Sequence, residues 1–408
     1  MAIASTHTFS PVALITYNER EAAAMNTLTR ASLYAISALT MSAQTLTTLH
    51  SFAGPDGANP MGPLILASDG NLYATTKNGG SQDFGAIFRI STAGVFETLR
   101  SFCSGPGCAD GKYPISGLMQ AADGNFYGTT SAGGAGQGGT IFKTTAAGDL
   151  TVIHSFCFAQ CTDGVTPEAG LVQAPDGSFY GTTFWGPGPG WGTLFHLDTS
   201  GEVSVLYSFC PDNGRCENGA NPESLILSAN GDLYGTTFIG GPGGGTGTFF
   251  SITAAGKLST IASFCRPECY GNPHGPVMQA SDGDFYGVAG ESVYRISSAG
   301  AFTILHRFCA QTGCLDGSSP YGGLIQDASG NFYGTTESGG AHNGGTVYEL
   351  TPGGQLTTLC SFCSEPACAD GERPFSKLLQ TPGGDLYGVT NRGGANGLGT
   401  VFRLSLPK

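Results

Sequence analysis

The sequence is poor in charge, and above all in positive charge: only 17 of its 408 residues are Lys or Arg, against 30 Asp or Glu. The net charge of −13 argues against nucleic acids and anionic membrane surfaces as partners, because both are bound through basic patches. Long apolar runs are scarce as well, and the strongest one, residues 31–41, is too short to cross a bilayer as a permanent anchor. We therefore expect no nucleic-acid partner and no membrane span.

The N-terminal residues are interpreted as a leader that is separate from the fold. Met25 opens a stretch in which Arg30 precedes the apolar run and small residues follow it, which is the form of a signal peptide over residues 25–43. Residues 1–24 are then an upstream extension, non-native or disordered, and a frayed N-terminal helix is the alternative. On the first interpretation the mature chain, residues 44–408, is exported to the periplasm or the extracellular space.

Glycine and aromatic residues are abundant where charge is not. The chain has 66 Gly, 15 Tyr and 25 Phe, a composition typical of many short strands joined by tight turns. Self-comparison finds seven copies of a unit that recurs every 47 to 54 residues, and each copy has a Tyr after a Gly-containing turn and a Phe at a fixed place. The Tyr column is Tyr73, Tyr127, Tyr180, Tyr234, Tyr286, Tyr333 and Tyr387, and the Phe column is Phe52, Phe102, Phe156, Phe209, Phe264, Phe308 and Phe362.

A complete copy contains four short strands, which in the second copy are predicted over Gly117–Ala121, Asn125–Thr130, Thr140–Thr144 and Leu150–Phe156. Seven such units indicate an all-β, seven-bladed β-propeller of four-stranded blades. A solenoid is the alternative, but it needs polar terminal caps, and the sequence shows none. The seventh copy ends after its third strand, and "TLTTLHSF", residues 45–52, is a fourth strand without the preceding three. We expect this N-terminal strand to complete the last blade and close the ring.

The unit, "P…LIQA-DGNFYGTT-GG…GGT-F", resembles the GloVer tandem repeat of bacterial exported choice-of-anchor proteins over residues 44–408. It is more loosely similar to the repeats of regulatory propellers and streptogramin lyases, which share a hairpin of "DGN" followed by an aromatic residue. The resemblance implies export and a propeller fold. It implies no established activity, so no catalytic residue is carried over from it.

Twelve of the 13 cysteines form local pairs, each just after the Phe of its copy. Short disulfides within loops are the favoured interpretation in an oxidising compartment. Zinc is the alternative, but a structural site needs four ligands and each loop offers two sulfurs, so we expect no metal and no cofactor. The odd residue, Cys360, is a buried free thiol, a competitor for another disulfide, or the donor of an intermolecular bridge. The predicted pairs are Cys103/Cys108, Cys157/Cys161, Cys210/Cys216, Cys265/Cys269, Cys309/Cys314 and Cys363/Cys368.

Propeller geometry places the loops between blades, and those from second to third strands, on one face. Nearly all variation in loop length and chemistry lies there, so a site is expected on this disulfide-bearing face. Residues that recur from copy to copy are predicted to have structural roles. The Tyr and Phe columns form the core, and a Gln column hydrogen-bonds to backbone groups near the channel. Acidic residues of the loops stabilise turns, and three His share one strand position. A ring of cations is the alternative role for the acids. The Gln column is Gln120, Gln173, Gln279, Gln326 and Gln380, the acids are Asp56, Asp110, Asp163, Asp316 and Asp370, and the histidines are His50, His154 and His306.

Residues that break the repeat are better site candidates. The position after a Pro that recurs in every copy should enter the innermost strand near the channel mouth. This repeat Pro is Pro60, Pro114, Pro167, Pro222, Pro273, Pro320 and Pro374. Blade 3 also carries both tryptophans, Trp185 and Trp191, and blade 5 has lost the loop that would crowd His274. The fourth copy is one residue shorter here, so Glu223 is predicted to face either the channel or the other side. The residues after Pro are Met61, Ile115, Glu168, Glu223, His274, Tyr321 and Phe375.

These candidates allow several functions. Glu168, Glu223, His274 and Tyr321, with the two indoles, could bind a saccharide, since aromatic faces take sugar rings. We therefore expect a secreted, monomeric binding or scaffold propeller that recognises a glycan or another extracellular polymer. No catalytic motif is recognised, but a lyase or glycoside hydrolase acting through Glu168, His274 and Tyr321 is the alternative. A purely structural envelope or matrix protein, whose channel mouth is an ordinary solvated rim, is the second alternative.

Overall fold

Seven small antiparallel sheets form a seven-bladed β-propeller in the computed structural model, as predicted. Each blade has four strand positions, labelled a to d from the centre outward. No helix among the described residues is both long and apolar enough for a membrane span. The described residues are 6–8, 44–158, 162–187, 190–211, 214, 216–242, 245–265, 270–310 and 312–407.

Strands b, c and d are continuous, with a one-residue register shift between c and d in each blade, whereas strand a is short or interrupted in several blades. The a strands of blades 1 to 7 are Ala58–Pro60 with Ile65–Leu66, Met119–Gln120, Val172–Gln173, Ala220–Leu227, Pro273–Gln279, Ile325–Gln326, and Glu372–Pro374 with Leu379–Gln380. The b strands are Leu72–Asn78, Phe126–Thr130, Phe179–Thr183, Leu233–Ile239, Phe285–Ala289, Phe332–Thr336 and Leu386–Arg392. The c strands are Ala86–Ile90, Gln137–Thr144, Thr193–Leu197, Thr248–Ile252, Ser292–Ile296, Thr346–Leu350 and Thr400–Ser405. The d strands are Phe96–Ser101, Leu150–Cys157, Val203–Ser208, Leu258–Ser263, Phe302–Arg307, Leu356–Ser361 and, for blade 7, Thr45–Ser51, and short 3-10 helices occupy Pro106–Cys108 and Pro366–Cys368.

The ring is closed in blade 7, where an N-terminal strand pairs with a C-terminal strand. Thr45–Ser51 pairs antiparallel with Thr400–Ser405, with Leu46 opposite Leu404, which confirms the predicted closure of blade 7. A further short strand, Thr6–Thr8, pairs with the outer edge of the same sheet. Closure leaves no unpaired sheet edge between the first and last blades.

The repeated aromatic residues form the core between blades. The ring of Tyr73 stacks on Phe126 of the next blade at 4.2 Å, and Tyr286 meets Phe332 at 4.4 Å in the same way. The hydroxyl of Tyr73 donates to Asp69 of its own hairpin at 2.8 Å, so one side chain both packs between blades and stabilises a turn. The Phe column is buried throughout, with at most 3% of any side chain exposed. Packing thus explains why these residues recur.

The Gln column joins neighbouring blades, as its assignment to backbone groups predicted. Gln120 accepts a hydrogen bond from the backbone N–H of Ser68 in the preceding blade, at 2.8 Å. Gln326 accepts one from Ser281 at 2.9 Å. Each amide also donates to a glycine carbonyl in its own hairpin, Gly124 at 3.1 Å in blade 2.

The loop acids hold the turns between blades, and most of them also pair with the strand position that carries histidine. His50 contacts Asp56 at 2.9 Å, and Asp56 also accepts the backbone N–H of Ala53 at 2.7 Å. The same pairing recurs at His154 and His306, at 2.6 and 3.1 Å from Asp163 and Asp316, and an arginine replaces histidine at Arg100, 3.2 Å from Asp110. These contacts confirm a structural role for both columns.

Four of the predicted disulfides are formed: Cys103–Cys108, Cys210–Cys216, Cys309–Cys314 and Cys363–Cys368. Cys157 and Cys265 are disulfide-bonded too, but Cys161 and Cys269, their predicted partners, lie outside the described residues. Cys360 is the buried free thiol that was one of its three predicted states, and burial raises its pKa.

The disulfide loops and the loops between strands b and c lie on one face, as predicted. The second cysteine of a pair accepts a backbone hydrogen bond from a b–c loop glycine: Gly134 to Cys108 at 2.9 Å, and Gly394 to Cys368 at 2.9 Å. In these blades the disulfide therefore closes a loop that is hydrogen-bonded to the adjacent b–c loop.

Replacing Cys309 and Cys314 with Ser is expected to lower the free energy of unfolding by about 2 kcal/mol or less. The bond spans a sequence separation of only 5, so little chain entropy is removed from the unfolded state. Urea unfolding of the wild type and the double variant measures the difference. A loss above about 4 kcal/mol would exceed what so short a loop supplies, and would assign the stabilisation to contacts of the loop itself.

Candidate functional site

The side chains that follow the repeat prolines converge on one central cavity of about 490 Å³. This proline lies where the chain enters strand a of each blade, and the residue after it lines the cavity in all seven copies. The residues that follow the repeat prolines, all of which line the cavity, are Met61, Ile115, Glu168, Glu223, His274, Tyr321 and Phe375. The structure therefore brings together the four polar candidates, Glu168, Glu223, His274 and Tyr321, that the sequence suggested.

Glu223 faces the cavity because the shorter fourth copy forms a β-bulge. Strand Ala220–Leu227 runs without interruption, and its register against strand b shifts between Pro222 and Ser224. The residue between these two, Glu223, is left unpaired in the ladder and is aimed inward, as bulges commonly re-aim a side chain. Of the two predicted directions, the channel is therefore the correct one.

Lys377 is a cavity residue that sequence reasoning missed. It stands third after the repeat proline of blade 7, where blades 1, 2, 3, 5 and 6 have Pro63, Gly117, Gly170, Pro276 and Gly323. A lysine in a column of glycine and proline breaks the repeat as clearly as Glu168 does two positions earlier in the unit. Comparison of this second column would have found it.

Aromatic side chains form an arc along blades 4 to 7, made of Phe238, His274, Tyr321 and Phe375. The His274 imidazole meets the Tyr321 ring edge-on, at 4.4 Å between centroids and 89° between planes. Phe238 lies 5.3 Å from the other side of His274, and Phe375 lies 5.3 Å beyond Tyr321. Strands b and c of blade 5 are joined by Gly290 and Glu291 alone, so no long loop covers this arc. The contacts fix the orientation of the imidazole.

Four ionisable side chains of the cavity lack partners among the described residues. Glu168, Glu223, His274 and Lys377 make no hydrogen bond or ion pair with any residue in the part of the chain that the structure describes. Partly buried polar groups are normally hydrogen-bonded. Four unpartnered groups around one cavity are therefore available to a ligand.

Burial shifts the pKa values of these groups in the direction that favours the neutral form of each side chain. Burial, with repulsion from Glu168, raises the pKa of Glu223 to about 8. Burial also raises the pKa of Glu168, against the attraction of Lys77. The pKa of His274 falls to about 4, and that of Lys377 is lowered, both through burial. At neutral pH Glu223 therefore carries a proton that it can donate, and His274 is a neutral donor and acceptor.

The tryptophans lie apart from this cavity. Trp185 and Trp191 contact each other at 5.1 Å, and neither lines the central cavity. Trp185 instead lines a second cavity of about 350 Å³, together with Phe158, Val165 and Pro187. Backbone hydrogen bonds between Trp185 and Val165, of 2.8 and 3.2 Å, hold the b–c loop against the disulfide loop, away from the channel. The four polar candidates therefore line the central cavity, whereas the indoles lie at a separate place on blade 3.

The central cavity combines polar donors and acceptors with apolar walls. Its polar groups are carried by blades 3, 4, 5, 6 and 7, and Met61, Ile115 and Phe375 supply apolar surface. Among the described residues no group of three or more His, Cys, Asp or Glu is arranged to hold a metal ion. The arrangement suits hydrogen bonding to an uncharged polar ligand and proton transfer by Glu223 or His274.

Comparison with known proteins agrees with this architecture. A family model described as the Gloeobacter/Verrucomicrobia repeat matches residues 32–215, 123–315 and 290–408. No curated protein matches the sequence.

The solved structures that are similar to this chain share its fold at low sequence identity. Catalytically inactive virginiamycin B lyase from Staphylococcus aureus with quinupristin superposes with a TM-score of 0.60 at 14% identity, over 89% of this chain and 99% of that one. A streptogramin B lyase gives 0.59 at 14% identity, over 89% and 98%. The extracellular domain of the one-component system BT4673 from B. thetaiotaomicron gives 0.58 at 10% identity, over 88% of this chain and 40% of that one.

Proposed function

We propose, from the premise that this chain belongs to the Gloeobacter/Verrucomicrobia repeat family, that it is an exported propeller which binds a saccharide in its central cavity. The observation that carries the proposal is the convergence of Glu168, Glu223, His274 and Lys377 on one cavity without protein partners. Polar groups kept partly buried and unpaired cost stability in the free protein. A ligand that supplies their hydrogen bonds recovers that cost.

A sugar ring fits the chemistry of the cavity better than an apolar or an ionic ligand does. Its hydroxyls both donate and accept hydrogen bonds, which matches a protonated Glu223 and a neutral His274. Its carbon–hydrogen faces pack on aromatic rings such as Tyr321 and Phe375. The cavity volume of about 490 Å³ is in the range of small-ligand sites.

Export is supported by the disulfides. Disulfides persist in oxidising compartments and are rare in the cytosol, and four are formed among the described residues. A propeller similar in fold is an extracellular domain. A secreted saccharide-binding protein is consistent with both.

The proposal predicts that the purified protein binds a saccharide saturably on a broad glycan array, and that His274→Ala weakens the binding about tenfold or more. The variant loses hydrogen bonds to the ligand and the centre of the aromatic arc, together worth roughly 1–2 kcal/mol. Isothermal titration with the array ligand measures the change. His342→Ala is the matched control, because His342 is exposed in a b–c loop.

Two results would count against this function. Absence of saturable binding across the array would favour a structural role or a protein partner. Equal affinity of the His274→Ala variant and the wild type would remove the central cavity from the binding of any saccharide found.

Catalysis is a second candidate, favoured by one observation. Glu223 and Glu168 face the same cavity on adjacent blades, and their repulsion contributes to the raised pKa of Glu223. Carboxyl groups perturbed in this way often act as general acids in lyases and glycoside hydrolases. Product analysis during the same titrations separates the two functions, since a binding protein returns its ligand unchanged.

A further inference from the structure

A second candidate site lies on blade 3, outside the central cavity. Phe158 and Trp185, named here the blade 3 platform, line a cavity of about 350 Å³. Their exposed fractions are 68% and 41%, and among the described residues they are the exposed large aromatic side chains. Large aromatic rings are usually buried, so exposed rings beside a cavity mark a contact surface.

The Trp185 ring of the platform is held in place by several contacts. Both backbone hydrogen bonds between Trp185 and Val165 fix the base of the indole, and Phe184 and Trp191 contact its ring at 5.2 and 5.1 Å. A ring that is already ordered loses little conformational entropy when a ligand binds. The Trp185 ring is thus preorganised for stacking.

The platform is close to the central cavity. Trp185 pairs with Val165, which precedes the cavity residue Glu168 by three positions. Three residues span at most about 11 Å, even when fully extended. Both surfaces belong to the disulfide-bearing face, so a ligand of a few linked rings reaches from one to the other.

We propose that the ligand is a linear glycan, with its terminal ring in the central cavity and a following ring stacked on the blade 3 platform. This inference rests on the proposed function and adds that the ligand is a polymer. A protein partner is a poor fit, because two partly exposed rings offer well under the roughly 800 Å² per side of a stable protein interface. The remaining lining includes Gly164, Gly186 and Gly190.

The test measures affinity against chain length. Cello-, xylo- and chito-oligosaccharides from disaccharide to hexasaccharide are titrated into the purified protein, alongside Trp185→Ala, Phe158→Ser and His274→Ala. We expect the longest member of the binding series to bind about 3- to 10-fold more tightly than the disaccharide. Trp185→Ala and Phe158→Ser should remove this gain and leave the disaccharide affinity unchanged, whereas His274→Ala should weaken both.

Leu315→Ser is the matched control, since Leu315 is 66% exposed in the disulfide loop between blades 5 and 6. Phe158→Ser keeps the test decisive if loss of the Trp185 ring disturbs Trp191. Affinity that does not depend on chain length, or a length gain that survives both platform variants, would overturn the polymer inference and leave the central site intact. Failure of every oligosaccharide and every array glycan to bind would instead overturn the proposed function.

Discussion

Deletion of residues 1–52 is expected to abolish cooperative folding of the propeller, whereas deletion of residues 1–43 leaves it folded. The first deletion removes the outer strand of blade 7, Thr45–Ser51, and the repeat residue Phe52. The second keeps both. The two truncated proteins therefore differ only by the segment that closes the ring.

The expected loss is large because the closing strand is packed on both sides. Leu46, 4% exposed, belongs to the cluster around Leu404, and Phe52, fully buried, meets Phe88 at 5.3 Å. Burial of each side chain is worth about 1.5–3 kcal/mol. Removal of the closing strand also exposes the edge of strand Thr400–Ser405, in which Phe402 is buried. The total approaches the roughly 5–15 kcal/mol by which a whole domain is stable.

Circular dichroism and thermal unfolding measure the outcome. In a third variant, residues 45–52 are removed from the N-terminus and appended after Pro407 through a short turn. This variant should recover the stability of the 1–43 deletion, because the other six blades connect strand c to strand d through such a turn. If the protein without residues 1–52 unfolds at the same temperature as the one without residues 1–43, the closing strand contributes little.

The fold was predictable because the repeat supplies seven observations of one unit. A single "DGN" turn or one buried Tyr is weak, but seven copies in register identify the four strands and the missing one. Strand bounds were less accurate. Strand a of blade 2 is Met119–Gln120 where Gly117–Ala121 was predicted, and strand c is Gln137–Thr144 where Thr140–Thr144 was predicted. The ends of strands depend on contacts with neighbouring loops, which the repeat pattern does not contain.

The site was predictable as a set of positions and not as a chemical environment. The residues after the prolines converge because every copy enters its blade alike. The direction of Glu223 depends on a bulge in strand a of blade 4, where it is the extra residue, and the separation of Trp185 from Glu168 depends on how one loop packs on another. The shifted pKa values arise from burial across blades that are distant in sequence. None of these is visible in a column of the repeat.

Glu223→Gln is expected to stabilise the protein above neutral pH and to have little effect on stability below pH 4.5. In the unfolded chain the carboxyl has its ordinary pKa of about 4.5, whereas in the folded protein its pKa is about 8. Between these values the folded state holds a proton that the unfolded state has released. The free energy of unfolding therefore falls as pH rises, by up to about 1.4 kcal/mol per pH unit. Glutamine cannot ionise, so the variant is free of this cost.

His274 contributes an opposite slope at lower pH. Its pKa is about 4 in the folded protein and 6.5 ordinarily, so the stability that it contributes is present above pH 6.5 and is lost as pH falls toward 4. The two slopes oppose each other between pH 4.5 and 6.5. The effect of Glu223 is therefore cleanest between pH 6.5 and 8.

Thermal and urea unfolding of the wild type and Glu223→Gln from pH 4 to 9 tests this account. The variant should gain stability as pH rises, by on the order of 3 kcal/mol at pH 8, since part of the side chain keeps contact with solvent. Glu168→Gln should make the wild-type loss smaller and end it at a lower pH, because removal of that carboxylate lowers the pKa of Glu223 in the folded protein. The exposed Glu202→Gln is the control. A difference between wild type and Glu223→Gln that is the same at every pH would mean that Glu223 ionises as it does in water, and the cavity would then lack the proton donor on which sugar binding and acid catalysis both depend.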